Sequence, residues 1–138
     1  MQKPSSVLDL RGTKIAYIIL AMVANIAMAI LFFSLVDWLM LTYGEQVTGV
    51  DTTLMLGIFL GSLLIGFLMS RIAKDGRGIT YGLYGGLAGL VVVVLMTWKS
   101  GLLAALVGLM AVLGGYNGGS LGEGYRRVQK KNRDARRK

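Results

Sequence analysis

Four apolar runs separated by short polar breaks set out the chain: residues 15–35, 52–72, 79–98 and 101–121. Arg71, beside the end of the second run, is the sole charged residue in any of them. At ~1.5 Å of rise per residue, Ile15–Leu35 covers ~31 Å as a helix, enough for a hydrocarbon core of ~30 Å. The breaks are brief. GEQVTGVD (44–51) separates the first two runs, AKDGRG (73–78) the next two, and only Lys99 and Ser100 the last two. So short a final break predicts a tight antiparallel helical hairpin. The pattern predicts an all-α integral membrane four-helix bundle. A cytoplasmic N-terminal segment (1–14) would precede a transmembrane domain (15–121), and a basic cytoplasmic tail (122–138) would follow. The first run contains an Ala27-Met28-Ala29 triplet but continues through Ile30–Phe33, too long for the apolar core of a signal peptide. It is expected to be a retained span.

Within these runs the small residues recur at helical spacing. In the fourth, Gly101, Ala104, Gly108, Ala111, Gly115, Gly118 and Gly122 alternate steps of three and four. In water so small a seam would bury little apolar area. In a bilayer, close backbone approach holds helices together, and small residues favour it. The third run carries Gly78, Gly82, Gly85 and Gly89, so Gly82–Gly89 is expected to face Gly114–Gly122 across the hairpin. The second carries Gly57 and Gly61, then Ser62, Gly66 and Ser70. The first carries Ala21, Asn25 and Ala29. Small faces are expected inward and bulky faces toward lipid. Asn25 and Asn117 are the most polar groups inside the spans and are expected to hydrogen-bond between helices.

Composition narrows the chemistry. The chain of 138 residues is 54% hydrophobic, with 20 Gly, no Cys and no His. Disulfides, thiolate metal sites and His-based acid–base catalysis are therefore excluded from this chain alone. No carboxylate lies deep in a span, so neither a nucleophile–base pair nor a proton relay is expected. Asp37, Glu45 and Asp51 read as solvated loop acids rather than a cation site. GGYNGGSLGEG lacks the preceding strand and the following Lys-Ser/Thr of a phosphate-binding loop. No metal, cofactor or catalytic residue is expected.

Charge sets the expected orientation. Four spans put residues 1–14, 71–77 and 126–138 on one side. That side holds 14 of the 15 Lys and Arg, with Lys99 alone opposite. By the positive-inside rule it is cytoplasmic. Trp38, Tyr43 and Trp98 would mark the outer boundary, and Tyr17, Tyr81, Tyr84 and Tyr125 the inner one.

The tail holds Arg126, Arg127, Lys130, Lys131, Arg133, Arg136, Arg137 and Lys138 against one acid, Asp134. It is expected to fray beyond its first turn or two and to lie on anionic lipid headgroups, or to dock a partner. It has no aromatic residue to stack on bases, which disfavours nucleic acid. Glu123 is expected to pair with Arg126 or Arg127.

Gly61, Gly66, Arg71, Gly82, Gly86 and the paired Gly114-Gly115 and Gly118-Gly119 match a recurring pattern. In it, a Gly-rich second span, a basic turn and a third span opening with spaced glycines precede a fourth span that ends in glycine pairs. On these residues the chain resembles the YrzE-like family, small prokaryotic four-span proteins of unknown function. Phe67-Leu68-Met69-Ser70 departs from the small residue and Ala-Gly that the family carries before the basic turn. The resemblance covers about half the chain. It implies the four-span fold and a prokaryotic cell membrane, and no activity.

Two functions fit these readings. The first is a structural or accessory membrane subunit that packs through its Gly/Ala faces against other subunits or a second copy. The alternative is a pore-forming or holin-like protein, which would need a polar stripe along its helices.

Overall fold

The computed structural model describes residues 12–44 and 49–136. It contains α1 (Ile15–Tyr43), α2 (Val50–Ala73), α3 (Gly78–Met96) and α4 (Leu102–Ala135), with a 3-10 turn at Trp98–Ser100. All four are long and apolar enough to cross a membrane. The chain is an integral membrane four-helix bundle, as the hydropathy pattern predicts.

The breaks are made by backbone geometry. Gly44 stops α1 at φ +61°, and its N–H donates to the Met40 carbonyl. Lys74 ends α2 in the left-handed region at φ +56°, a conformation that glycine adopts far more readily. Gly76 follows at φ +78°. Gly101, at φ +45°, turns the chain from the 3-10 segment into α4. It begins the expected seam but is exposed, with open space where a β-carbon would stand.

Two helices outrun the expected spans. α1 continues past Asp37 to Tyr43 and measures ~44 Å at ~1.5 Å per residue. α4 is one unbroken helix of 34 residues. The expectation that the basic tail frays after a turn or two is corrected: the helix runs to Ala135. A charge ends an apolar run, yet it does not end the backbone hydrogen-bond ladder, and Lys, Arg and Gln are good helix formers. Arg137 and Lys138 lie outside the described residues.

Contacts fix an alternating up-and-down arrangement. The Lys14 N–H donates to the Tyr81 hydroxyl at 3.0 Å, tying the start of α1 to the start of α3. Arg126 donates to the Lys74 carbonyl, tying α4 to the end of α2. Residues 12–14, 71–78 and 122–136 thus gather at one end, with Lys99 at the other. Away from this basic end, Ala29, Phe33, Leu54, Ile58, Val93, Val107 and Ala111 form one apolar cluster. Nearer to it, Ile18, Ala21, Met69, Ala73 and Tyr81 form a second. The outer surface is studded with exposed leucines and isoleucines, Ile15, Leu31, Leu64, Leu95 and Leu121 among them. So extensive an apolar exterior is the surface of a protein solvated by lipid.

Candidate functional site

The row of small residues on α4 organises the bundle, and it is broader than the expected seam. Ala104, Gly108, Ala111, Gly115, Gly118 and Gly122 are buried, and so are Gly114 and Gly119 beside them. α4 lies against two neighbours at once. Toward α3, a β-carbon added to Gly115 would collide with the Gly82 carbonyl, and one added to Gly82 with the Gly115 carbonyl. Gly78 and Gly119 repeat this reciprocal contact one turn away. At Gly82, Gly115 and Gly119 the hydrogen standing where a β-carbon would be faces the other residue's carbonyl oxygen, while at Gly78 it faces the Ser70 side chain first. Such Cα–H···O contacts contribute perhaps ~0.5–1 kcal/mol each. Toward α2, β-carbons on Gly114 and Gly118 would strike the carbonyls of Phe59 and Leu63. Gly122 sits on Ser70 and Phe67, and Gly66 fits against Gly115 and Gly119.

The remaining small positions receive side chains. Gly57 takes the Phe32 ring and Gly61 takes Met28, both from α1. Gly108 faces Leu90 and Val94 of α3. Gly85 and Gly89 face Asn25, and Gly89 also meets Ala111. The expected Gly–Gly face between α3 and α4 is present at Gly82. Gly85 instead turns toward α1, and Gly86 takes its place against Ala111 and Val112.

Asn25 is the polar node where all four helices meet. It is fully buried, and its Nδ2 donates to the Ala21 carbonyl at 2.9 Å. The Ser62 Oγ of α2 lies 2.7 Å from Asn25 Oδ1 and 2.7 Å from the Ala111 carbonyl of α4. The single Ser62 proton serves one of these acceptors at a time. Asn117 behaves differently. It is exposed on the outside of α4, with Ser120 and Gly124 exposed on the same face. The expected interhelical role is therefore met within the bundle at Asn25 and not at Asn117. Helical spacing alone does not reveal which side of α4 a polar residue occupies when the helix has two covered rows.

The basic end is built from several elements. Asp75 accepts from the Arg77 N–H at 3.0 Å through Oδ1 and from the Tyr81 hydroxyl through Oδ2. Tyr17 packs edge-on against Tyr81 at 6.2 Å. Glu123 reaches across from α4, and its Oε1 accepts the Ile79 N–H at 3.0 Å. It thus supplies an acceptor to a first-turn amide that has no partner within α3. Its expected partner is Arg127, four residues on, at 3.9 Å. With Arg127 largely exposed, that pair contributes little. Arg71 lies over the rings of Phe67 and Tyr125, 5.7 and 5.0 Å from their centres.

Between the α2–α3 turn and the extension of α4 lies a cavity of about 980 Å³. Arg71, Lys74, Arg126, Arg127, Lys130 and Arg133 line it, opposed by Glu123 and Asp134. Arg126 Nη2 donates to the Lys74 carbonyl, while Nη1 is buried without a partner. Four of the expected tail contacts, Arg126, Arg127, Lys130 and Arg133, share this wall. Lys131 on the same helix and Arg136 just past its end are exposed outside the cavity. Sequence reasoning missed Arg71 and Lys74 as partners of the tail, because they join it only once α4 stays helical beyond Leu121.

No protein-family model, curated protein or solved structure matches the chain.

Proposed function

We propose that this protein is a non-catalytic structural or accessory subunit of a membrane assembly. The observation that carries the reading is the exposed face formed by Asn117, Ser120 and Gly124 on α4. The bundle spends its glycine rows on its own helices, so those rows are not free to receive a partner. Asn117, within the apolar part of α4, stands on the lipid-facing side. An amide in hydrocarbon favours a hydrogen-bonding helix opposite it, a contact worth about 1 kcal/mol. The small side chains at Ser120 and Gly124 leave room for that helix to approach. No catalytic step is assigned. Asp75 and Glu123 are engaged with Tyr81, Arg77 and the Ile79 N–H, and His and Cys are absent from the sequence.

The pore-forming alternative has less support. Buried Asn25 and Ser62 bond to one another, but the contact of Gly66 with the Gly115 and Gly119 backbone lies between them and buried Ser70, so no polar stripe runs along the bundle there. Conduction would have to run between copies rather than through one bundle. The basic end is assigned to the cytoplasm on the positive-inside rule. The prokaryotic cell membrane is assigned on the YrzE-like resemblance.

Native mass spectrometry of protein extracted gently from its own membrane tests the reading. A complex with unrelated subunits is expected, and a homo-oligomer alone would favour the pore-forming alternative. Asn117→Leu is expected to release the partner while leaving the bundle's thermal unfolding unchanged. A lone chain, unaffected by Asn117→Leu, would overturn it.

A further inference from the structure

We propose that the basic cavity between the α2–α3 turn and α4 binds the headgroup of an anionic phospholipid, and that it is best matched to one with two phosphates. The inference rests on the membrane-spanning fold and is independent of any partner at Asn117. Three observations carry it. The first is charge. Six cationic side chains face two carboxylates around one cavity, and they come from two separate parts of the chain. A fold that brings like charges together across a cavity gains from an anion between them. Arg126 adds a guanidinium nitrogen that no protein group satisfies, and guanidinium forks suit phosphate oxygens.

The second is depth. Arg71 stands beside Ile72, the last exposed apolar residue of the second apolar run, and Glu123 two positions past Leu121, the last of the fourth. The cavity therefore opens at the level of the headgroups. Basic pockets at such a level suit anionic lipid. Phe67 and Tyr125, packed edge-on at 6.5 Å beneath Arg71, provide apolar surface for the acyl chains. The third is size. About 980 Å³ is at the upper end of small-molecule sites, roughly 300–1,000 Å³. The α3 N-terminus is already capped by Glu123, so anion recognition falls to the side chains.

The test uses the full chain in a neutral detergent. It is titrated with diphosphatidylglycerol, phosphatidylglycerol or phosphatidylcholine and read by native mass spectrometry. Diphosphatidylglycerol is expected to bind tightest and phosphatidylcholine weakest. Two double variants then remove the same charge from the same basic tail. Lys130→Gln with Arg133→Gln alters the cavity wall, and Lys131→Gln with Arg136→Gln alters the tail outside it. The first pair is expected to weaken diphosphatidylglycerol about tenfold and the second by less than about twofold. All four residues are exposed, so both variants are expected to unfold at the wild-type temperature. Equal losses from the two pairs would reduce the site to diffuse surface charge and overturn the proposal. So would phosphatidylcholine binding as tightly as the anionic lipids. Inorganic phosphate that displaces the lipid at equal concentration would reassign the cavity to a free phosphate compound. An acidic peptide that outcompetes every lipid would reassign it to a protein partner. The lipid ranking is read on the wild-type chain, so it decides the matter even if a variant misfolds.

Discussion

Toward the end that carries Lys99, the bundle is filled by side chains: Ile58, Val93 and Val107 are fully buried around Phe33 and Leu54. Toward the basic end, the contact among α2, α3 and α4 is filled by backbone, with Gly66, Gly82, Gly115, Gly118 and Gly119 against carbonyl groups. The same helices use both kinds of packing about two to three turns apart. In lipid neither gains from excluding water, so both depend on close contact. The difference lies in how each tolerates change. A side-chain core loses contacts when an atom is removed, and its neighbours can partly relax. A backbone contact has nothing to rotate away when an atom is added.

The largest expected effect breaks the backbone half. Gly115→Leu or Gly118→Leu is expected to cost more than about 4 kcal/mol, seen as loss of the cooperative unfolding transition in mild detergent. If both variants kept the wild-type transition and oligomer size, the backbone-contact account would be wrong. Gly118→Ala, one methyl against the Leu63 carbonyl, is expected to cost about 3 kcal/mol. Gly61→Ala meets only the flexible Met28 side chain and should cost about 1 kcal/mol. Equal losses at these two positions would erase the distinction between backbone and side-chain neighbours. In the side-chain half, Ile58→Ala is expected to cost about 2–4 kcal/mol, measured by the same unfolding.

Smaller effects sharpen the comparison. Ser62→Ala removes the hydroxyl between Asn25 and Ala111, and about 1 kcal/mol of stability should go with it. Asn25→Leu in the Ser62→Ala background should then add less than it does alone, as a double-mutant cycle would show. Gly124 is helical with nothing near it, so Gly124→Ala should raise stability by up to about 1 kcal/mol. That sign is opposite to every substitution in the buried rows, and a loss there would mean that Gly124 packs on something in the isolated chain.

The comparison also explains what the sequence disclosed. Span number and the inward direction of Ala21, Asn25, Ser62 and Gly118 followed from hydropathy and small-residue spacing, since both report on one helix at a time. The pairing of Gly114 with Phe59 and of Gly119 with Gly78 did not. A single three-four row describes a helix with one neighbour, whereas α4 lies between two and buries a wider face. The same limit hid Glu123 as the cap of α3 and Asn117 as an outward residue. Gly57 and Gly61 illustrate the converse. Their spacing suits helix–helix contact through bare backbone, yet Phe32 and Met28 occupy it, because which residues face a gap depends on the opposite helix. The basic cavity required the course of α4 beyond Leu121, where hydropathy is silent and helix propensity decides.

The central place of α4 bears on how the protein is made. α4 is the last of the four helices to leave the ribosome, yet its glycines close the contacts of α2 and α3 alike. Until it arrives, Gly66, Ser70, Gly78 and Gly82 have no α4 backbone to meet. The earlier helices can reach the bilayer, but their narrow faces stay open there to lipid and to other helices. The hairpin turn at Gly101 thus delivers the helix whose glycines fill the grooves of α2 and α3, and a chain halted before it would leave those grooves unfilled.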